Sequence, residues 1–126
     1  MGSSAQDDLR ALRTRVDYNA EAKAKFLSTA KKLLQRLKKE LGNEYGECDR
    51  IRTNKGGIAV SGEVTLHYDR LYVQVSQSCM GDRGTVMFRS CASRNDYSGG
   101  QNNFADSETL VDTATLAAVI RSRVKP

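Results

Sequence analysis

The stretch from Ile58 to Tyr68 alternates between apolar and polar side chains without a break, and it constrains the fold more than any other feature. Alternation with a period of two is typical of a strand that buries one face. Asp69-Arg70 then forms a tight turn, and the alternation resumes from Leu71 to Ser76. Because strands joined by so short a turn must be antiparallel, the sequence predicts a hairpin.

Two further strands are predicted on either side of this hairpin. The residues from Cys48 to Asn54 suit a short strand, with Ile51 as its apolar anchor. Another strand is predicted from Thr85 to Cys91, after a turn at Met80 to Gly84. Together these segments predict a four-stranded antiparallel meander.

Helices are predicted at both ends of the sheet. Between Ala5 and Leu41, apolar residues recur at steps of three and four, as on one face of a helix. Either one helix of roughly 55 Å runs through this region, or Asp17 caps a second helix. Asp106 or Ser107 is expected to cap a C-terminal helix. The predicted class is α+β, with a long N-terminal helix, a four-stranded antiparallel meander sheet and a C-terminal helix on one face.

The first part of the N-terminal helix carries its own apolar stripe, formed by Leu9, Leu12 and Val16. A four-stranded sheet is too small to cover a helix of this length, and exposed apolar patches mark interfaces. We therefore expect a homo-oligomer, a dimer or higher, whose copies meet through this helix. The sequence does not determine the number of copies.

The length and composition predict an ordinary globular protein. The chain has 126 residues, of which 39% are hydrophobic and 28% charged, which suits a single domain over residues 1–126. Residues 1–4 look like expression-vector sequence. No apolar run approaches the roughly 20 residues of a membrane span, and no signal peptide is visible, so we expect a cytoplasmic protein without membrane contact. The net charge of +5 favours anionic partners.

The residue types that carry catalysis are sparse. His67 is the one histidine, and its place on the polar side of a strand predicts a surface residue. Cys48, Cys79 and Cys91 lack C-x-x-C spacing, so we expect reduced, half-buried thiols rather than a disulfide or a metal site. Phosphate-binding motifs of the Walker and Rossmann types are absent. We expect neither a cofactor nor an enzyme.

The long connection from Phe88 to Phe104 is the candidate ligand-binding segment. Its arginines and amides supply donors for phosphate or ribose, its aromatic rings supply stacking faces, and Gly99-Gly100 allows close approach of the backbone. The residues predicted to bind a ligand are Phe88, Arg89, Arg94, Tyr97, Gly99, Gly100, Asn102, Asn103 and, in the last helix, Arg121. The alternative is an ordered loop whose amides cap its own turns.

This segment also carries a resemblance to a known family. Phe-Arg-Ser-Cys, followed by Arg-Asn-Asp-Tyr-Ser-Gly-Gly-Gln-Asn-Asn-Phe, resembles small phage proteins, and most nearly the first described family of Thoeris anti-defence sponges. Members of that family form oligomers that sequester cyclic ADP-ribose-type signals without cleaving them, and some also hold cyclic oligonucleotides. The resemblance implies a phage protein that counteracts bacterial defence in the host cytoplasm. The alternative is an inhibitor, such as an anti-CRISPR, that uses its basic helix to bind protein or nucleic acid.

Overall fold

A computed structural model describes residues 5–77, 86–92 and 100–126, with Asp49 described by its backbone alone. The elements, in chain order, are α1 (Ala5–Arg13), α2 (Ala20–Leu41), β1 (Cys48–Asn54), β2 (Glu63–Tyr68), β3 (Leu71–Ser76), β4 (Val86–Ser90), β5 (Asn103–Ala105), α3 (Ser107–Val111) and α4 (Thr113–Arg123). The fold is α+β, as predicted. The strands form one antiparallel sheet in the order β1-β2-β3-β4-β5.

One face of the sheet packs against the helices and forms the core. In β3, buried Leu71, Val73 and Val75 alternate with partly exposed neighbours, which is the pattern expected of a strand with one buried face. The same core contains the apolar stripe of α2, whose fully buried members include Leu33 and Leu37. Burying each such side chain stabilises the fold by about 1.5–3 kcal/mol relative to exposure.

The prediction of four strands is wrong, because β5 lies inside the segment that was expected to be a loop. It pairs with β4 through the register Val86↔Ala105, Met87↔Phe104 and Phe88↔Asn103. Three residues are too few for a periodic pattern to reveal a strand. The connection that follows β4 is therefore shorter than the sequence predicts, because β5 begins at Asn103.

The strand predicted from Ile58 begins only at Glu63. Ile58 and Val60 are exposed and lie in the connection between β1 and β2. Gly62 has a φ of +74°, and a Cβ there would lie 2.6 Å from the carbonyl oxygen of Asn54. The chain turns tightly at this glycine, and so the alternation before it belongs to a loop.

The N-terminal region forms two helices rather than one. Asn19, not Asp17, caps α2, and its side chain accepts a hydrogen bond of 3.0 Å from the backbone N–H of Ala22. Asp17 instead accepts a hydrogen bond of 2.8 Å from Nε of Arg15. Since the chain bends between the helices, α1 folds back onto α2 within the same molecule.

This bend removes the reason for an interface along the N-terminal helix. Leu12 and Val16 are fully buried in the core of their own chain, so they present no apolar patch to another copy. The oligomer stays a prediction, but its contact through this stripe no longer has support from the apolar pattern.

The C-terminal region also contains two helices where one was expected. The side chain of Asp106 accepts from the backbone N–H of Thr109, which confirms Asp106 as the cap of α3. Asp112 ends α3 and caps α4 by accepting from the backbone N–H of Thr115. Among the residues that the structure describes, no helix is both long and apolar enough to cross a membrane.

A buried ion pair fastens α1 to α2. Asp8 is buried, and its Oδ1 lies 2.7 Å from Nζ of Lys32, while Nη1 of Arg36 lies 4.0 Å from Oδ2. The ammonium group keeps some contact with solvent, so desolvation weakens the pair less than full burial would.

We predict that Asp8→Ala lowers the free energy of unfolding by about 1–3 kcal/mol, since it removes a charge-assisted hydrogen bond and leaves Lys32 without its partner. Urea denaturation measures this change. Lys31→Ala, at an exposed neighbouring position of α2, is the control and should stay within about 0.5 kcal/mol of wild type. Equal stability of Asp8→Ala and wild type would contradict a stabilising role for the pair.

Candidate functional site

The face of the sheet opposite the core carries polar and aromatic side chains in two rows that cross the strands. Residues paired across neighbouring strands point to the same face, so the register determines each row. The first row is Arg50, His67, Tyr72 and Arg89. The second row is Arg52, Thr65, Gln74, Met87 and Phe104. We call these nine residues the polar face.

Side chains of the first row contact one another across three strands. The guanidinium carbon of Arg89 lies 5.9 Å from the centre of the Tyr72 ring, within the range of a cation–π interaction. The Tyr72 ring in turn meets His67 edge to face, with 5.4 Å between ring centres and 76° between ring planes. These contacts hold the guanidinium of Arg89 in a defined position above the sheet.

Arg89 has no counter-ion in the described part of the chain. Its Nε is buried and has no hydrogen-bond acceptor there. A buried donor without an acceptor costs free energy, about 1–3 kcal/mol, and a charged one costs more. An anion that approached this guanidinium would therefore be bound more favourably than at an ordinary surface arginine.

The charge on the polar face is positive. Arg50, Arg52 and Arg89 contribute three positive charges, whereas the neighbouring row contains one carboxylate, Glu63, paired in register with Asn54. Arg50 and Arg89 stand three strands apart, which is roughly 14 Å at the usual strand spacing. Cations thus flank a central aromatic ring, a pattern that suits a flat ligand with anionic groups.

Phe104 provides an apolar surface at one edge of the polar face. Its side chain is 60% exposed although it lies in a strand. An exposed aromatic ring beside basic residues is a typical stacking platform for a nucleobase. The sequence identified Phe104 as a loop aromatic, whereas the structure places it in register with Met87.

The prediction that His67 is a surface residue is wrong. His67 is 4% exposed, and its Nε2 lies 2.8 Å from the hydroxyl oxygen of Thr65. The alternation placed His67 on the polar side of the strand, which is correct, and there it contacts Thr65 and the ring of Tyr72. It is therefore a positioned part of the polar face rather than a freely exposed side chain.

The structure separates the residues at the two ends of the predicted ligand-binding segment. Arg89 lies on the polar face, whereas Phe88 points the opposite way and is fully buried in the core. Asn103 pairs in register with Phe88, and its Nδ2 donates to the carbonyl oxygen of Gln101 at 3.0 Å. Asn102 is exposed. Of this group, Arg89 alone belongs to the polar face.

Arg94, Tyr97 and Gly99 lie outside the described residues, so their part in a site stays a prediction. Gly100 has a φ of +51°, and a Cβ there would overlap the carbonyl oxygen of Ser90. The positive φ of Gly100 therefore lets the chain pass close to the end of β4.

Arg121 is already engaged within the fold. Its Nε donates to Oε1 of Glu44 at 2.9 Å, and its Nη2 donates to the carbonyl oxygen of Glu40 at 2.9 Å. These bonds fasten α4 to the C-terminal end of α2. The hydrogen bond from Arg121 also lowers the pKa of the Glu44 carboxyl group. Arg121 therefore has a structural role, and its predicted part in ligand binding stays a prediction.

Sequence reasoning overlooked Tyr72, Arg50 and Arg52. The signal was present in the alternation of β3, which places Tyr72 and Gln74 opposite the buried Leu71 and Val73. The strand pairing, which the sequence does not give, is what brings these residues into rows.

The described residues show no metal site. Within residues 5–77, 86–92 and 100–126, no three His, Cys, Asp or Glu side chains are grouped so as to hold a metal ion. Cys48 is half-buried and Cys91 is buried, and Cys79 lies outside the described residues. The donor set of the polar face, with three guanidinium groups, is suited to anions instead.

Comparison of the chain with protein-family models, with curated proteins and with solved structures finds no match. The resemblance to the sponge family stays an expectation from the loop residues.

We predict that Gly100→Ala lowers the free energy of unfolding by about 1–3 kcal/mol, because a Cβ adds left-handed backbone strain and a clash with Ser90. Gly57→Ala is the matched control, since a Cβ at Gly57 meets no atom within 4 Å and the backbone is not left-handed. Thermal and urea denaturation compare the two variants. If Gly100→Ala were as stable as Gly57→Ala, the close packing at Ser90 would be refuted.

We also predict that Arg121→Gln lowers the Tm at pH 7 by about 1–3 °C, the usual scale of an exposed ion pair in a domain of this size. Because the pKa of Glu44 is lower in the folded state, the pair stabilises the fold above the ordinary glutamate pKa, and this contribution is lost as the pH falls through the folded-state pKa. The difference from wild type should therefore shrink at pH 3. Arg123→Gln, in the same helical turn, is the control and should show no such pH dependence.

Proposed function

We propose that this protein binds a small anionic nucleotide on the polar face of its sheet and sequesters it without cleaving it. The observation that carries the proposal is the guanidinium of Arg89, which lies over the Tyr72 ring with a buried Nε that has no acceptor among the described residues. An anionic group of the ligand would supply the missing negative charge.

The arrangement of the polar face supports a nucleotide rather than a simple inorganic anion. A phosphate alone would need only the cations, whereas the two rows combine cations with aromatic surfaces. Arg89 would pair with a phosphate group, and the exposed ring of Phe104, on the neighbouring strand, would stack on a base. The side-chain amide of Gln74 accepts from the hydroxyl of Tyr72 at 2.9 Å and donates to the hydroxyl of Ser76 at 3.3 Å, and its second N–H could donate to a ribose hydroxyl or a base edge.

Sequestration without turnover agrees with the residue types of the polar face. Hydrolysis of a phosphodiester or glycosidic bond requires a nucleophile activated by a base, or a pair of carboxylates. His67, the one residue of the polar face able to act as a base, is 4% exposed, and its Nε2 lies 2.8 Å from the hydroxyl oxygen of Thr65. The remaining side chains of the polar face are mainly cations, amides and aromatic rings, which bind without activating water. Together with the resemblance to Thoeris sponges, this composition leads us to propose a phage protein that withdraws a cyclic nucleotide signal in the host cytoplasm.

A competing function is inhibition through the basic helix. Lys31, Lys38 and Lys39 are exposed on α2 and would contact nucleic acid through charge alone. Binding of that kind would weaken steeply with salt and would be insensitive to the polar face, so the two functions give different results in the same assay.

We predict that Arg89→Gln weakens nucleotide binding at least tenfold, because it removes both the charge and the cation–π contact. Isothermal titration calorimetry would use cyclic ADP-ribose, 3′,5′-cyclic AMP and cyclic di-AMP as probes. Lys39→Gln removes the same charge from an exposed position on α2 and serves as the charge-matched control. It should leave the affinity within twofold of wild type.

The same experiment tests the proposal as a whole. Mass spectrometry of the ligand released by denaturing the complex should recover it chemically unchanged, whereas an enzyme would return product. Equal losses in Arg89→Gln and Lys39→Gln would favour binding by bulk charge. Failure of all three probes to bind to wild type would refute the cyclic-nucleotide function.

A further inference from the structure

A second surface with a separate chemistry lies at the start of α2. Three large apolar side chains gather there, and Tyr18, Ile58 and Val60 are 70%, 65% and 51% exposed. The backbone N–H of Tyr18 donates to the carbonyl oxygen of Ile58 at 2.8 Å, which joins the α1–α2 connection to the β1–β2 connection. None of these residues belongs to the polar face, and such clustered apolar exposure marks an interaction site.

These side chains stand beside a cavity of about 370 Å³ between α2 and the β1–β2 connection. Ala20, Ala24 and Leu27 form its floor, at helical steps of four and three, and Ile58 forms a wall. Because two floor residues are alanines, the cavity has room for large side chains brought by a partner. Its volume lies within the range of ligand-binding cavities, which is about 300–1,000 Å³. We call it the docking groove.

The rim of the docking groove is cationic. Lys23 and Lys55 both line it, and Nζ of Lys23 donates to the carbonyl oxygen of Gly57 at 2.8 Å, which holds the ammonium group across the rim. The groove also begins at the N-terminus of α2, where the helix dipole favours negative charge. A partner therefore gains from carboxylates at the rim and from apolar side chains at the floor.

We propose that the docking groove binds an acidic segment of another protein, which places one or two large apolar side chains over the alanines and its carboxylates beside Lys23 and Lys55. A second copy of this chain fits less well. In a two-fold contact between two such grooves, lysines would face lysines, and the chain as a whole carries a net charge of +5.

The backbone of Tyr18 adopts a conformation that is rare for a residue with a Cβ. Tyr18 has a φ of +59° and is the one non-glycine residue with positive φ among those described. This conformation costs about 1–2 kcal/mol for a residue with a Cβ. The backbone N–H of Tyr18, which donates to the carbonyl oxygen of Ile58, stabilises this conformation, and the ring is left 70% exposed.

The test is a selection from a displayed library of random 12-residue peptides on the full-length protein, with peptides that also bind an Ile58→Lys variant removed. Ile58 is exposed, so the substitution should leave the fold intact, and circular dichroism checks this. We expect the enriched peptides to combine Leu, Phe or Trp with Asp or Glu. A synthesised peptide should bind Lys55→Glu at least tenfold more weakly than wild type, and its affinity should fall as salt rises.

Phe104→Lys is the matched control, because it places the same charge at an exposed apolar residue of the polar face and should leave peptide affinity unchanged. The proposal is overturned if no peptide depends on Ile58, if the enriched peptides carry no acidic bias, or if Phe104→Lys weakens binding as much as Ile58→Lys does. Sedimentation that shows a dimer abolished by Ile58→Lys would assign the groove to a second copy instead, which also overturns it.

Discussion

The packing of α2 against one face of the sheet is the contact on which the rest of the structure depends. The stripe of α2 and the inward-facing residues of β2, β3 and β4 are buried together, and Phe88 and Leu66 are among the fully buried members. Each such side chain contributes through removal of apolar area from water, and the sum is the main stabilising term of the domain. Because a strand presents alternate residues to opposite faces, this burial also forces Arg89, next to Phe88, onto the other face.

The polar face is thus a consequence of core packing combined with register. In register, Tyr72 lies between His67 on β2 and Arg89 on β4, and its ring contacts both side chains. A slip of one residue would move each of them to the core and destroy both the core and the rows. The geometry of the polar face therefore depends on the same register as the core.

The connections between elements supply the second surface. The bend between α1 and α2 buries Leu12 and Val16 but leaves Tyr18 outside, close to the loop that carries Ile58 and Val60. Apolar residues that would be hidden in a longer strand are exposed here because β2 begins only after Gly62. The polar face and the docking groove differ in chemistry, the first suited to a flat anion and the second to an acidic, apolar-anchored segment.

The sequence by itself determined the fold class, the hairpin of β2 and β3, the bounds of β1 and a helix cap at Asp106 or Ser107, because these depend on local periodicity and on capping chemistry. Only the tertiary structure decided that β5 exists, that His67 is buried, that Arg121 pairs with Glu44 and that Tyr72 lies beneath Arg89. Each of these depends on which distant residues become neighbours. Contacts between residues far apart in the chain leave no periodic trace in it, since they are selected by the packing of the whole domain.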